Sequence, residues 1–153
     1  MRFLPFLGTK ELRIDARVRS GTEPKAYSVV IVVEDMEFSE EFDPWTPVKV
    51  LDGKTMEEFY MRFIESDDDV RVSCGCWDFR CRFAPVLREL RAVQGRVTCP
   101  PRRTDRKSIN VARVPSACSH IFAVFEALMK VGVIVTRASP RYKEIDLTGG
   151  IVV

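Results

Sequence analysis

Apolar and polar residues alternate over Leu12-Arg13-Ile14-Asp15-Ala16-Arg17-Val18, the period of a half-buried strand. Gly21 and Pro24 break that pattern. Ala26 to Val33 is rich in β-branched residues and almost wholly apolar, which predicts a buried central strand. The acidic stretch Glu34 to Asp43 carries Met36, Phe38 and Phe42 and reads as a continued hairpin. Pro44-Trp45-Thr46-Pro47 predicts a turn, Val48 to Leu51 a short strand, and Asp52-Gly53 a second turn. Thr55 with Glu58 makes a capping box, so a helix is expected there, with Phe59, Phe63 and Ile64 on one face. Asp67-Asp68-Asp69 ends that helix as a solvated turn. Val70, Val72 and Cys74 then alternate with Arg71 and Ser73 as a strand.

Phe83 to Val93 has helical spacing with Val86, Leu87 and Leu90 inward, and Gly95 stops it. Residues 96–113 hold two prolines and six bases, which predicts a basic loop. Cys118 to Val131 is an amphipathic helix with an apolar stripe of Ile121, Phe122, Phe125, Leu128 and Met129, closed by Gly132. Residues 135–153 show no helical period.

These elements predict one α+β domain over 1–153, of ordinary single-domain length. Its expected parts are an N-terminal arm (1–10), a mainly antiparallel sheet with one helix (11–69), a strand–helix–loop–helix module (70–134) and an extended C-terminal arm (135–153). The apolar ends are of the kind that add to a neighbour's sheet or groove. No apolar run nears the roughly 20 residues needed to span a bilayer. The start is too short and too proline-broken for a signal peptide, so synthesis in the cytoplasm is expected.

The formal net charge of +2 hides a split. Glu34 to Val70 holds thirteen acids and three bases, whereas Arg71 to Arg113 holds eleven bases and three acids. The halves either face each other within the fold or face neighbouring subunits of opposite sign.

The candidate chemistry is concentrated in two pincers. Cys74-Gly75-Cys76 closes a predicted strand, and Cys118-Ser119-His120 opens a predicted helix. His120 is the sole histidine of the chain. C-x-C … C-x-H offers four soft or borderline donors, a set suited to closed tetrahedral Zn²⁺. Gly75 lets the first pair fold tightly, and the free amides of a helix start favour thiolate at Cys118. Such an ion is structural, because protein fills every position. The alternative is three small buried hydrophobes and a packed or capping histidine.

C-x-C … C-x-H is also the pattern of the SWIM zinc finger. Val70-Arg71-Val72-Ser73-Cys74-Gly75-Cys76-Trp77-Asp78-Phe79-Arg80-Cys81-Arg82-Phe83-Ala84 resembles a V-x-C-x-C-x-D-F-x-x-R-F-A segment of virion proteins of tailed bacteriophages. In those proteins a loop rich in proline and arginine follows, then an asparagine and a C-x-H. Here stand Pro100-Pro101-Arg102-Arg103, Asn110, Pro115 and Cys118-Ser119-His120. The likeness spans about residues 70–131. It implies Cys74, Cys76, Cys118 and His120 as ligands, with Asp78, Phe79, Arg82 and Phe83 as scaffold around them. It further implies a structural role in the virion, with the tail baseplate preferred, then the neck, then the capsid. Partners are then other virion proteins and further copies of the chain, and assembly takes place in the host cytoplasm. Two departures stand out: Trp77 replaces a small residue, and Cys81 replaces an aromatic or basic one.

Cys81 and Cys99 remain. They pair with each other, bridge subunits, stay free, or, as a rival assignment, replace His120 on the metal. The loop bases Arg102, Arg103, Arg106, Lys107 and Arg113 fit an acidic protein neighbour better than nucleic acid, since the loop lacks aromatics for base stacking. A cytosolic zinc module binding nucleic acid is the alternative function. No G-x-S-x-G, glycine-rich phosphate loop or H-E-x-x-H is present, and no catalytic residue is expected.

Overall fold

The computed structural model describes residues 1–21, 24–100 and 115–135, together with the backbone of 151–152. The basic residues Arg102, Arg103, Arg106, Lys107 and Arg113 lie outside the described residues.

A four-stranded antiparallel sheet organises the chain. Strands β1 (Arg2–Phe6), β2 (Glu11–Arg19), β3 (Ala26–Val33) and β8 (Val70–Cys74) lie side by side in that order. Its register stacks like with like: Ile14 faces Ile31, which faces Val72, while Ala16 faces Val29, which faces Cys74. Side chains alternate between faces along a strand, so this register sends Leu12, Ile14, Val29, Ile31, Val33, Val72 and Cys74 to one buried face. Helix α2 (Ser119–Lys130) packs against β2, β3 and β8, burying Ile121, Val124 and Leu128. The architecture is α+β, with a mainly antiparallel N-terminal sheet and two helices.

A second sheet is built from β4 (Phe38–Ser39), β5 (Val48–Leu51), β6 (Glu58–Met61) and β10 (Ile151–Val152), in the order β10-β5-β6-β4. Two short strands, β7 (Ile64–Glu65) and β9 (Ile134–Val135), pair in parallel. They fix the far end of α2, whose Val133 carbonyl accepts from the Ile64 amide at 3.0 Å.

Several sequence expectations are corrected. Residues 1–10 are not an arm: β1 pairs with β2 over five positions and Phe3 is buried in the core. Pro5 is tolerated there because β1 is an edge strand and needs no donor on its outer side. Ile151–Val152 runs parallel to β5 of its own chain. The expected helix from Thr55 is a hairpin. Phe59 and Met61 are buried and alternate with Glu58 and Tyr60, so period two wins over the spacing of Phe59 and Phe63. Of the supposed capping pair, Thr55 serves the turn instead and Glu58 begins β6. The Asp52 carboxylate accepts from the Lys54 amide at 2.7 Å, the Thr55 hydroxyl accepts from the Glu57 amide at 3.3 Å, and Met56 adopts φ 63°.

The expected helix Phe83–Val93 is a π-helical turn, Phe79–Phe83, leading into a short α1 (Ala84–Glu89). Beyond it Arg91 turns at φ 58°, and Val93 forms a bridge alongside Val72 in β8. Leu90 is therefore exposed rather than inward. On α2, Phe122 and Met129 also face outward, and the buried stripe is Ile121, Val124 and Leu128.

Asp68 is not solvated surface. Arg62 grips it through two 2.8 Å hydrogen bonds, and Asp68 also accepts from the Glu65 amide at 2.8 Å. Such a two-pronged pair is directional as well as strong. It ties β6 to the turn before β8. Of the charge split, Arg71 and Glu34 join the two halves at 2.7 Å, and Arg71 also pairs with Glu11.

The turn after β5 holds β1 in place. The Gly53 amide donates to the Phe3 carbonyl at 2.7 Å, and a Cβ at Gly53 would stand 2.7 Å from Cβ of Arg2. That neighbour is rooted in the backbone and cannot swing away. Gly53→Ala is expected to cost about 1–3 kcal/mol by forcing the two strands apart, read as a lowered midpoint in denaturant with an unchanged slope. A midpoint equal to the parent's contradicts the close approach.

Candidate metal centre

Cys74 is the last residue of β8, on the core face opposite Val29. The Gly75 amide donates to the Ser28 carbonyl at 3.1 Å, extending the pairing with β3 by one residue. Gly75 has no left-handed φ, and an added Cβ would meet only ordinary contacts near 3.9 Å. The expectation that glycine is needed between the thiols is thus corrected: the turn follows from the strand ending, not from a missing side chain.

After Cys76 the chain winds into the π-helical turn. The Phe79 amide points at Sγ of Cys76 at 3.3 Å, and the Arg80 amide donates to the Cys76 carbonyl at 3.2 Å. Phe79 itself is fully buried beneath this turn. The Cys76 amide faces Sγ of Cys74 at 3.5 Å. One backbone amide thus points at each of the two sulfurs.

Cys118 caps α2 from an extended conformation, φ −77° and ψ 161°. Its carbonyl takes the first helical bonds, from Ile121 at 3.0 Å and Phe122 at 3.2 Å. One residue into the helix, His120 leans on the ring of Tyr27, with centroids 4.7 Å apart and planes tilted by 52°.

Register and helix packing bring the two pincers together. One donor atom from each of Cys74, Cys76, Cys118 and His120 lies within 4.8 Å of the others. The three cysteines are buried and the histidine half-buried. Tetrahedral Zn²⁺ with bonds of about 2.3 Å to sulfur sets sulfurs about 3.8 Å apart, so the cluster needs only a small contraction to close on an ion. Nδ1 of His120 is buried and has no hydrogen-bond partner. A buried nitrogen left unpaired is costly, and coordination by an ion would satisfy it. The four residues are compatible with a zinc site.

The electrostatics point the same way. Hydrogen bonds from the Cys74 and Cys76 thiols, in that order, hold the Cys118 thiol well below its ordinary range, and the amides of Ile121 and His120 add to the effect. Cys74 is pushed upward, first by its hydrogen bond to Cys118, then by Cys76 and by burial. Of this hydrogen-bonded pair, the surroundings favour the thiolate at Cys118 and the thiol at Cys74. A divalent ion would replace such protons.

Cys81 and Cys99 stand apart from this cluster. They are bonded to each other, with Cα atoms 4.9 Å apart, so the rival placing of either one on the metal is corrected. Arg80 donates to the Thr98 carbonyl at 2.8 Å and Arg88 to the Val97 carbonyl at 2.5 Å, which lays residues 97–99 over the π-helical turn. Of the scaffold residues, Asp78 pairs with Arg82 at 3.3 Å and Phe83 carries the Arg82 guanidinium over its ring. Trp77 is partly exposed.

Tyr27 is the contributor that sequence reasoning missed. Only the register betrays it: Val29 faces Cys74, so the residue two before Val29 stands beside the segment holding Cys76. Comparison of the chain with family models, with curated proteins and with solved structures found no match. No helix among the described residues is long and apolar enough to cross a membrane.

The disulfide gives a direct count. With metal chelated and the protein unfolded without reductant, an alkylating reagent is expected to label three thiols, those of Cys74, Cys76 and Cys118. Prior reduction raises the count to all five cysteines. Five labels without reductant contradict the Cys81–Cys99 bond.

Proposed function

We propose that this protein is a non-enzymatic structural component of a tailed-phage virion, folded around one zinc ion. The observation that carries the metal is the convergence of three buried sulfurs with the half-buried His120 imidazole. Cys74 and Cys76 would hold the ion from the sheet, and Cys118 and His120 from the helix. Four protein ligands leave no position for water or substrate, which is the donor arrangement of a structural site and not of a catalytic one. The ion supplies cross-linking: it closes a loop of about forty residues whose ordering is otherwise opposed by chain entropy. Zinc sites of this kind contribute on the order of 10 kcal/mol at neutral pH, comparable with the whole stability of a small domain.

The step from zinc module to virion rests on the resemblance of residues 70–131 to virion proteins of tailed phages. The baseplate is preferred, then the neck, then the capsid. The protein is made in the host cytoplasm and ends in the particle, beside other virion proteins.

Metal analysis of purified protein is expected to find about one zinc per chain, and Cys74→Ser and His120→Ala are expected to lose it. Chelation is expected to lower the melting temperature of the parent and leave the variants unmoved. The protein is expected in purified particles of the phage that carries its gene. Zinc-free parent protein overturns the metal. Absence from particles, with DNA affinity that falls steeply with salt, turns the reading to nucleic-acid binding.

A further inference from the structure

Residues 34–45 carry six acids and no base: Glu34, Asp35, Glu37, Glu40, Glu41 and Asp43. At the end of that acidic run an indole is held in the open. Trp45 is 81% exposed, and the turn presenting it is firmly made. The Asp43 carboxylate accepts from the Trp45 amide at 2.7 Å, and the Thr46 amide donates to the Asp43 carbonyl at 2.9 Å. Pro44 stiffens the corner between them. An aromatic fixed in advance loses little freedom when a partner covers it, and tryptophan is the commonest energetic anchor of interfaces.

Beside Trp45 lies a groove of about 550 Å³. Met36 and Phe38 form its apolar floor, Leu7 its outer wall, and Glu37 and Asp43 bring acid to its lining; Lys10 also lines it. Thr46 faces the same groove and is only 5% exposed, yet its hydroxyl oxygen is buried with no hydrogen-bond partner.

We propose that this groove receives the arginine-rich segment 102–113 of a second copy of the chain. The segment is read here from its composition alone: five bases against one acid, with Ile109 and Val111 among them. Its charge complements the acids around the groove. A guanidinium stacks well on an indole, and the aliphatic side chains suit the floor of Met36 and Phe38. Groove and segment are different surfaces, so reciprocal exchange between two copies closes a pair and one-way exchange builds rings or filaments. The inference rests on the assembly role proposed above and names the surfaces that role would use.

The test is sedimentation of the full-length, zinc-loaded protein. The parent is expected to associate at low salt and to dissociate as salt rises. Trp45→Ala, which spoils the groove, and Arg102→Glu/Arg103→Glu/Arg106→Glu, which spoils the segment, are each expected to be monomers. Mixed together they are expected to form a one-to-one pair and nothing larger, because only one productive contact remains. A parent that stays monomeric, a Trp45→Ala variant that associates like the parent, or variants that fail to complement each other overturn the proposal. Zinc content is measured on every sample. Monomers that carry zinc refute this interface alone, whereas zinc-free protein refutes the metal reading.

Discussion

The structure depends on the meeting of a strand end with a helix start. Cys74 and Cys76 close the last strand of the main sheet, and Cys118 and His120 open the helix that covers that sheet. Two devices bring them within ligand distance. The ladder between β3 and β8 fixes where Cys74 stops, and the burial of Ile121, Val124 and Leu128 fixes where α2 begins. Neither device holds the forty or so intervening residues, whose freedom opposes closure. A bond between the pincers acts at the point where the two devices need support.

The surroundings of the pincers are consistent with that role. The Phe79 amide is turned toward Sγ of Cys76, and the amides at the start of α2 lower the Cys118 thiol while Ile121 also donates to the Cys118 carbonyl. Tyr27 supports one face of the His120 ring, so the imidazole is oriented before any ion arrives. Outside the centre, the Arg62–Asp68 pair and the Arg71–Glu34 contact lock the segment between β6 and β8. The Cys81–Cys99 bond draws the chain after α1 back over the π-helical turn that carries Cys76. Each of these fixes a stretch that the ligands alone would leave loose.

Much of the centre was legible in the sequence, because its signals are local. Ligand spacing, alternation in Val70–Cys74 and the helix start at Cys118 are all short-range. The central strand Ala26–Val33 was legible for the same reason. The misreadings share a different cause. Phe59 satisfies both a helical and an alternating template, and only its cross-strand partner Val50 decides between them. Phe3 looks like part of a loose apolar end until the Gly53 amide and Ile14 give it a place. Asp68 looks like one of three solvated acids until Arg62 reaches it. Leu90, Phe122 and Met129 fit helical stripes, yet Leu90 lies past the end of α1 and the other two face outward on α2. A partner outside the local period decided for Phe59, Phe3 and Asp68, from six residues away for Asp68 to fifty for Phe3.

The central claim is a zinc ion bound by three sulfurs and one nitrogen drawn from both pincers. X-ray absorption at the zinc edge of the purified, metal-loaded protein reads that shell directly. The expected result is three sulfur scatterers at about 2.3 Å and one imidazole nitrogen at about 2.0–2.1 Å, with no oxygen in the shell. A shell of oxygen and water, or one lacking the imidazole, contradicts the account.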